Sequence, residues 1–136
     1  MDYEKARKEL KDYPKLKKKS SRLSEQQEEL QEKILSAGGQ KIYGMPSSQG
    51  KISDLSDYMV HLEKISDERA LIEKKITDIE TRVALIDDLT LSELIEQRYI
   101  KEKCWAEVGN EFNRSESWAK NKNKCAIMAY ANAEEE

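Results

Sequence analysis

LTLSELIEQRYIKEKCWAEVGNEFNRSESWAKNKNKCAIMAYA, residues 89–131, carries the signals that decide the fold. Thr90 with Glu93 spells a capping box, and Leu89 with Leu94 supplies the hydrophobic staple around it. Leu94, Ile95, Tyr99 and Ile100 follow at helical spacing, a face that needs a partner. Beyond the charged link Lys101-Glu102-Lys103, Cys104 opens a second helix, with Glu107 three residues on. Trp105, Val108, Gly109 and Phe112 repeat one apolar face, and Gly109 is small where another helix crosses closely. Asn113 tolerates the left-handed backbone of a tight turn between helices. Ser115 is an N-cap for a third helix, which carries Lys120, Lys122 and Lys124 and no acid after Glu116. Two short helices, a four-residue turn and a basic second helix fit a helix-turn-helix that binds DNA.

Two residues sit awkwardly in that pattern. Arg114 stands where an apolar residue usually follows the turn, and Lys122 falls at a later core position. The spacing leaves two registers open for the third helix. If Ala119 packs inward, the outer face is Glu116, Ser117, Lys120, Asn121 and Lys124. If Trp118 packs inward, it is Glu116, Lys120, Asn123 and Lys124. Lys120 and Lys124 face outward in both. The alternative for the whole stretch is a small helical bundle whose lysines are merely solvated.

Outward from this stretch, the chain of 136 residues has a single-domain length with room for a modest core. Charged residues make up 38%, with only 5 glycines and 2 prolines, a mix that favours long helices over sheet. A net charge of -3 argues against indiscriminate nucleic-acid binding, so any basic surface must be local. No apolar run is long enough for a membrane span and no signal peptide is evident, so a cytoplasmic location is expected. Cys104 and Cys125 lack metal-ligand spacing, and His61 is the sole histidine. Free thiols are expected, with no metal and no cofactor.

Residues 54–88 hold the most regular pattern. Leu55, Tyr58, Leu62, Ile65, Arg69, Ile72, Ile76, Ile79, Val83 and Ile86 alternate in steps of three and four, the mark of a coiled-coil seam. Arg69 is costly there unless it meets an acid. Residues 3–35 form another helical region with a thinner stripe of Tyr3, Leu10, Leu16, Leu23, Leu30 and Ile34. Pro14 predicts a break near Asp12–Tyr13. Lys15, Lys17, Lys18, Lys19 and Arg22 are read as a solvated face balanced by Glu25, Glu28, Glu29 and Glu32 rather than as a second phosphate contact. Glycines, Pro46 and serines mark residues 36–53 as a connector. The expected architecture is all-α: a long helical coiled-coil hairpin over 1–88, then a three-helix helix-turn-helix unit with an acidic tail over 89–136. Because the first helix is weakly apolar, a homodimer through the coiled coil is expected.

The order of parts resembles the phage-encoded ArpU and RinA type of late transcription regulators from Gram-positive hosts. The pieces that carry the resemblance are ELKDYPKL at 9–16, GMPSS at 44–48, SDLSDYMVHLEKI at 53–65 and LIEQRYIKEKCWAEVGNEFNRSES at 94–117. They span nearly the whole chain. The last resembles the helix-turn-helix of sigma-factor region four. The resemblance implies that Trp105, Val108, Gly109 and Phe112 form the supporting helix. It makes Ser115 the cap of the recognition helix and favours the Ala119 register. The chain departs from the pattern at Cys104, Arg114 and Lys122.

No nucleophile–base pair, paired catalytic carboxylates or phosphate-cradling glycine loop can be assembled, so an enzyme is not expected. The expected function is a sequence-specific DNA-binding regulator of transcription, with Arg114, Ser115, Ser117, Lys120, Asn121 and Lys124 toward double-stranded DNA. RNA polymerase is a further candidate partner. Two other classes share these parts: a small terminase subunit of DNA packaging, and a coiled-coil adaptor that binds polymerase without touching DNA.

Overall fold

The structure, a computed structural model, describes residues 1–42 and 49–133. All regular structure among them is helical: α1 (Tyr3–Ile42), α2 (Gln49–Ala84), α3 (Leu89–Ile95), α4 (Trp105–Glu111) and α5 (Glu116–Asn132). The all-α class expected from composition and periodicity is therefore the class observed. The connector expected over 36–53 is helical at both ends, and residues 43–48 within it lie outside the described residues.

Two compact units make up the chain: Met1–Lys17 with Lys75–Glu136, and Lys18–Lys74. The division expected at residue 88 does not coincide with this one. The unit containing the helix-turn-helix also takes in the start of α1 and the end of α2.

In the unit Lys18–Lys74, α1 and α2 run antiparallel, because contacts pair rising numbers on α1 with falling numbers on α2. Ser20 meets Glu73, Gln27 meets Ser66 and Arg69, and the Lys33 ammonium lies 5.8 Å from the Tyr58 ring centroid. Ile65 and Ile72 are buried from α2, and Leu23 and Leu30 from α1. The seam residue Arg69 meets a neutral amide, not the acid expected: its Nη1 donates to Gln27 Oε1 at 2.9 Å. Gln27 Nε2 in turn donates to Ser66 Oγ at 3.2 Å, so one amide latches two positions of α2. Lys19 of the basic run pairs with Glu68 at 3.1 Å, with both side chains about half exposed.

In the other unit, α1 buries Ala6, Leu10 and Tyr13, and the α2 end buries Ile76, Ile79 and Val83. The break expected at Asp12–Tyr13 does not occur; α1 is helical through Pro14. A proline inside a helix removes one donor and costs about 3 kcal/mol. Burying a side chain such as Leu10 returns about 1.5–3 kcal/mol. The Tyr13 hydroxyl adds a hydrogen bond to Glu80 Oε2 at 3.0 Å. Tertiary packing thus overrides the local preference.

α2 ends at Ala84, short of the expected residue 88, and the Ile86 N–H closes the turn on the Val83 carbonyl at 3.2 Å. The early stop frees Asp88, whose carboxylate accepts from the N–H groups of Thr90 at 2.9 Å and Leu91 at 3.2 Å. Asp88 is therefore the N-cap of α3, and the expected Thr90–Glu93 capping box is not the cap used. A carboxylate here also meets the positive end of the helix dipole, which a hydroxyl cannot do as well. Leu89 is 73% exposed, so the expected staple with Leu94 is absent.

Candidate nucleic-acid interface

α3 runs on into a wider helical turn, Glu96–Ile100, in which the Lys101 N–H reaches back to the Glu96 carbonyl at 2.9 Å. Glu102 then takes the left-handed backbone, at φ 55°. Cys104 caps α4 by its backbone position, and its thiol donates to Glu107 Oε1 at 3.1 Å. Both Cys104 and Cys125 are exposed free thiols.

The turn between α4 and α5 is set by three residues. Asn113 is left-handed at φ 56°. Its N–H bonds to the Asn110 carbonyl at 3.1 Å, and the Arg114 N–H bonds to the Gly109 carbonyl at 2.8 Å. This pair of bonds is the Schellman pattern, which reverses the chain within a few residues. A Cβ on Gly109 would stand 2.8 Å from the carbonyl oxygens of Arg114 and Ser115. The close approach expected at Gly109 is thus made by the turn and the first residue before α5. Ser115 Oγ accepts from the Trp118 N–H at 3.1 Å and caps α5.

α5 packs against α3 and α4, with Ala119, Ala126, Ile127 and Tyr130 buried. Ala119 is fully buried whereas Trp118 is half-buried, so the Ala119 register is the one adopted. Arg114, Ser115, Ser117, Lys120, Asn121 and Lys124 are all exposed. Lys122 is exposed too, and the half-buried neighbour is Asn123, whose Oδ1 accepts from the Tyr99 hydroxyl at 3.0 Å. Burial pushes the Tyr99 phenol up, outweighing the opposing effects of Asn123 and Arg98. Arg114 finds a partner in place of a core: its guanidinium lies 5.7 Å from the Trp118 ring centroid, and that ring meets Phe112 at 5.4 Å. Lys120 pairs with Glu116 one turn earlier at 3.2 Å, with both side chains more than half exposed.

Beside this face lies an open cavity of about 550 Å³. Four cations line it: Arg7 and Lys11 of α1, Arg98, and Lys120 of α5. Arg98 is held by two contacts. Its guanidinium stacks 4.4 Å from the Trp105 ring centroid, and its Nη1 donates to the Lys103 carbonyl at 2.9 Å. Glu102 is the acid on the wall. Sequence reading passed over Arg7 and Lys11. Their spacing of four placed them on one helix face, but nothing local indicated that this face adjoins α5.

No family model matches the chain, and the searches of curated proteins and of solved structures likewise found no match. Among the described residues, no helix is long and apolar enough to cross a membrane.

Proposed function

We propose that the protein is a sequence-specific DNA-binding regulator of transcription, of the phage late-gene type that its order of motifs resembles. One observation carries this reading. A capped helix, fixed by Ala119, turns Arg114, Ser115, Ser117, Lys120, Asn121 and Lys124 to solvent on a chain that is acidic as a whole. Local cations on an acidic protein favour a defined docking geometry over general adhesion to polyanions. Lys120, Lys124 and Arg114 suit phosphates, while Ser117 and Asn121 suit base edges.

A dimer would let two such helices read half-sites about one helical turn apart. The seam residues Ile65, Ile72, Ile76, Ile79 and Val83 are already buried within one chain, so a dimer would use another surface. The first helix covers that seam even though its inward positions include Ala6, Ser20 and Gln27, which are small or polar.

The test is titration of the protein into duplexes from the regulatory regions of its source genome, at several salt concentrations. Lys120→Gln with Lys124→Gln should lower the salt slope by about 1.8 per chain, and by about 3.6 for a dimer on one site. A folded double variant with unchanged binding and slope would reject the recognition-helix assignment and favour the polymerase adaptor. Light scattering on the complex separates a regulator of few copies from a packaging ring.

A further inference from the structure

The cavity walled by Arg7, Lys11, Arg98 and Lys120 is the second feature that calls for a partner. We infer that it is a backbone-phosphate site: the N-terminal turns of α1 extend the DNA interface beyond α5 and clamp the strand flanking the helix-turn-helix. This rests on the reading of α5 as the recognition helix.

The charge arrangement is the first argument. Arg7 and Lys11 lie four apart on α1, a spacing at which like charges repel on a helix. The fold adds Arg98 and Lys120 to the same wall. Among the described residues, no carboxylate lies within ion-pair distance of Arg7, Lys11 or Arg98. Such a cluster on an acidic chain is a cost to the free protein, and a bound polyanion would remove it.

Preorganisation is the second. Ala6 and Leu10 are fully buried, which fixes the rotation of α1 and with it the direction of Arg7 and Lys11. Arg98 is held between the Trp105 ring and the Lys103 carbonyl. A guanidinium with so little freedom loses less entropy on meeting a phosphate.

Continuity is the third. Lys120 belongs both to the cavity wall and to the outward face of α5. A duplex seated on α5 would therefore bring a phosphate strand to this wall. The cavity is open and polar, which suits a strand lying across it rather than an enclosed small molecule. Glu102 opposes an anion here, and its removal should strengthen binding.

The experiment uses the full chain and a duplex that it binds, followed by fluorescence anisotropy across salt. Arg7→Gln with Lys11→Gln should lower the salt slope by about 1.8 per chain while leaving discrimination between base pairs intact. Both residues are exposed and repel each other, so the fold should survive and the melting temperature should not fall. Glu102→Gln should tighten binding to all sequences. An unchanged slope in the folded Arg7/Lys11 variant would overturn the inference and leave the DNA reading standing. If the wild-type chain binds no duplex at low salt, the reading of α5 fails first and the clamp with it. Stoichiometric binding of ATP by calorimetry, lost in the Arg7/Lys11 variant and competing with duplex, would also overturn it and make the cavity a small-ligand site.

Discussion

The Tyr130 hydroxyl, near the end of α5, donates to Glu9 Oε1 of α1 at 2.7 Å, joining residues 121 apart in sequence. Tyr13 makes the corresponding bond from α1 to Glu80 of α2. Burial, reinforced by the neighbouring carboxylate, holds both phenols well above the ordinary range, and burial raises Tyr99 as well. A phenol with a raised folded value keeps its proton where the unfolded chain, titrating near 10, has released it. Stability from these groups is thus complete below about pH 10 and is lost as pH climbs toward the folded values. Tyr13 and Tyr130, the two held far above the ordinary range, should each contribute a loss of up to about 1.4 kcal/mol per pH unit in that window. Urea unfolding between pH 9 and 12 reads the slope, and Tyr130→Phe should make it shallower. Constant stability through pH 11 would show that the hydroxyls are not held as described.

Gln27 gives a second expectation. With its amide gone, Arg69 is left half-buried without an acceptor, so Gln27→Leu should cost about 1–3 kcal/mol. Adding Arg69→Leu removes the stranded charge and should recover most of that loss, because an apolar pair of similar volume is often as good. Denaturation of the two singles and the double gives the coupling. Additive losses would mean that the latch does not fix the α1–α2 register.

How much of this was legible in sequence follows the range of the signal. Ser115, Gly109 and Asn113 were readable because caps and tight turns are decided within four or five residues. The seam of α2 was readable because its apolar residues repeat in steps of three and four, with Arg69 as the one charged interruption. Pro14 misled because its local cost is outweighed by burial of Leu10 and Tyr13, which only the fold supplies. Asp88 was passed over because Thr90 offered an equally good local signal, and the choice depended on where α2 stops. Arg82 donates to the carbonyls of Tyr130, Ala131 and Ala133 and so closes the end of α5, a contact across about fifty residues that no spacing rule reveals. Arg7 and Lys11 were hidden for the same reason: their helix was visible, its neighbour was not.

Two backbone positions near the candidate interface should respond in opposite directions. Gly109→Ala places a methyl 2.8 Å from two carbonyl oxygens that are fixed by the turn. Its better helix propensity returns about 1 kcal/mol, but the overlap should leave a net loss of about 1–3 kcal/mol. Glu102→Gly relieves a left-handed residue that carries a Cβ and should stabilise by up to about 1 kcal/mol. Thermal unfolding of both variants decides. A neutral Gly109→Ala would mean that the turn can move away from α4.

Asn121 offers the sharpest test of base reading. It is exposed on the outward face of α5, one residue from Lys120 and three from Lys124. An amide can bond an adenine edge through donor and acceptor together, a pairing that lysine cannot imitate. Asn121→Ala should therefore relax discrimination at a single base pair by about 1–3 kcal/mol. The amide is neutral and displaces no counterion, so the salt slope should stay where it was. Lys124→Gln should do the reverse, lowering the slope by about 0.9 per chain and leaving the sequence preference alone. Alanine is the better helix former, so the fold should not weaken in the Asn121 variant. Competition binding against a set of duplexes with single base-pair changes measures both effects at once. If Asn121→Ala weakens every duplex equally, the residue serves the backbone and the base-reading role passes to Ser117 on the same face.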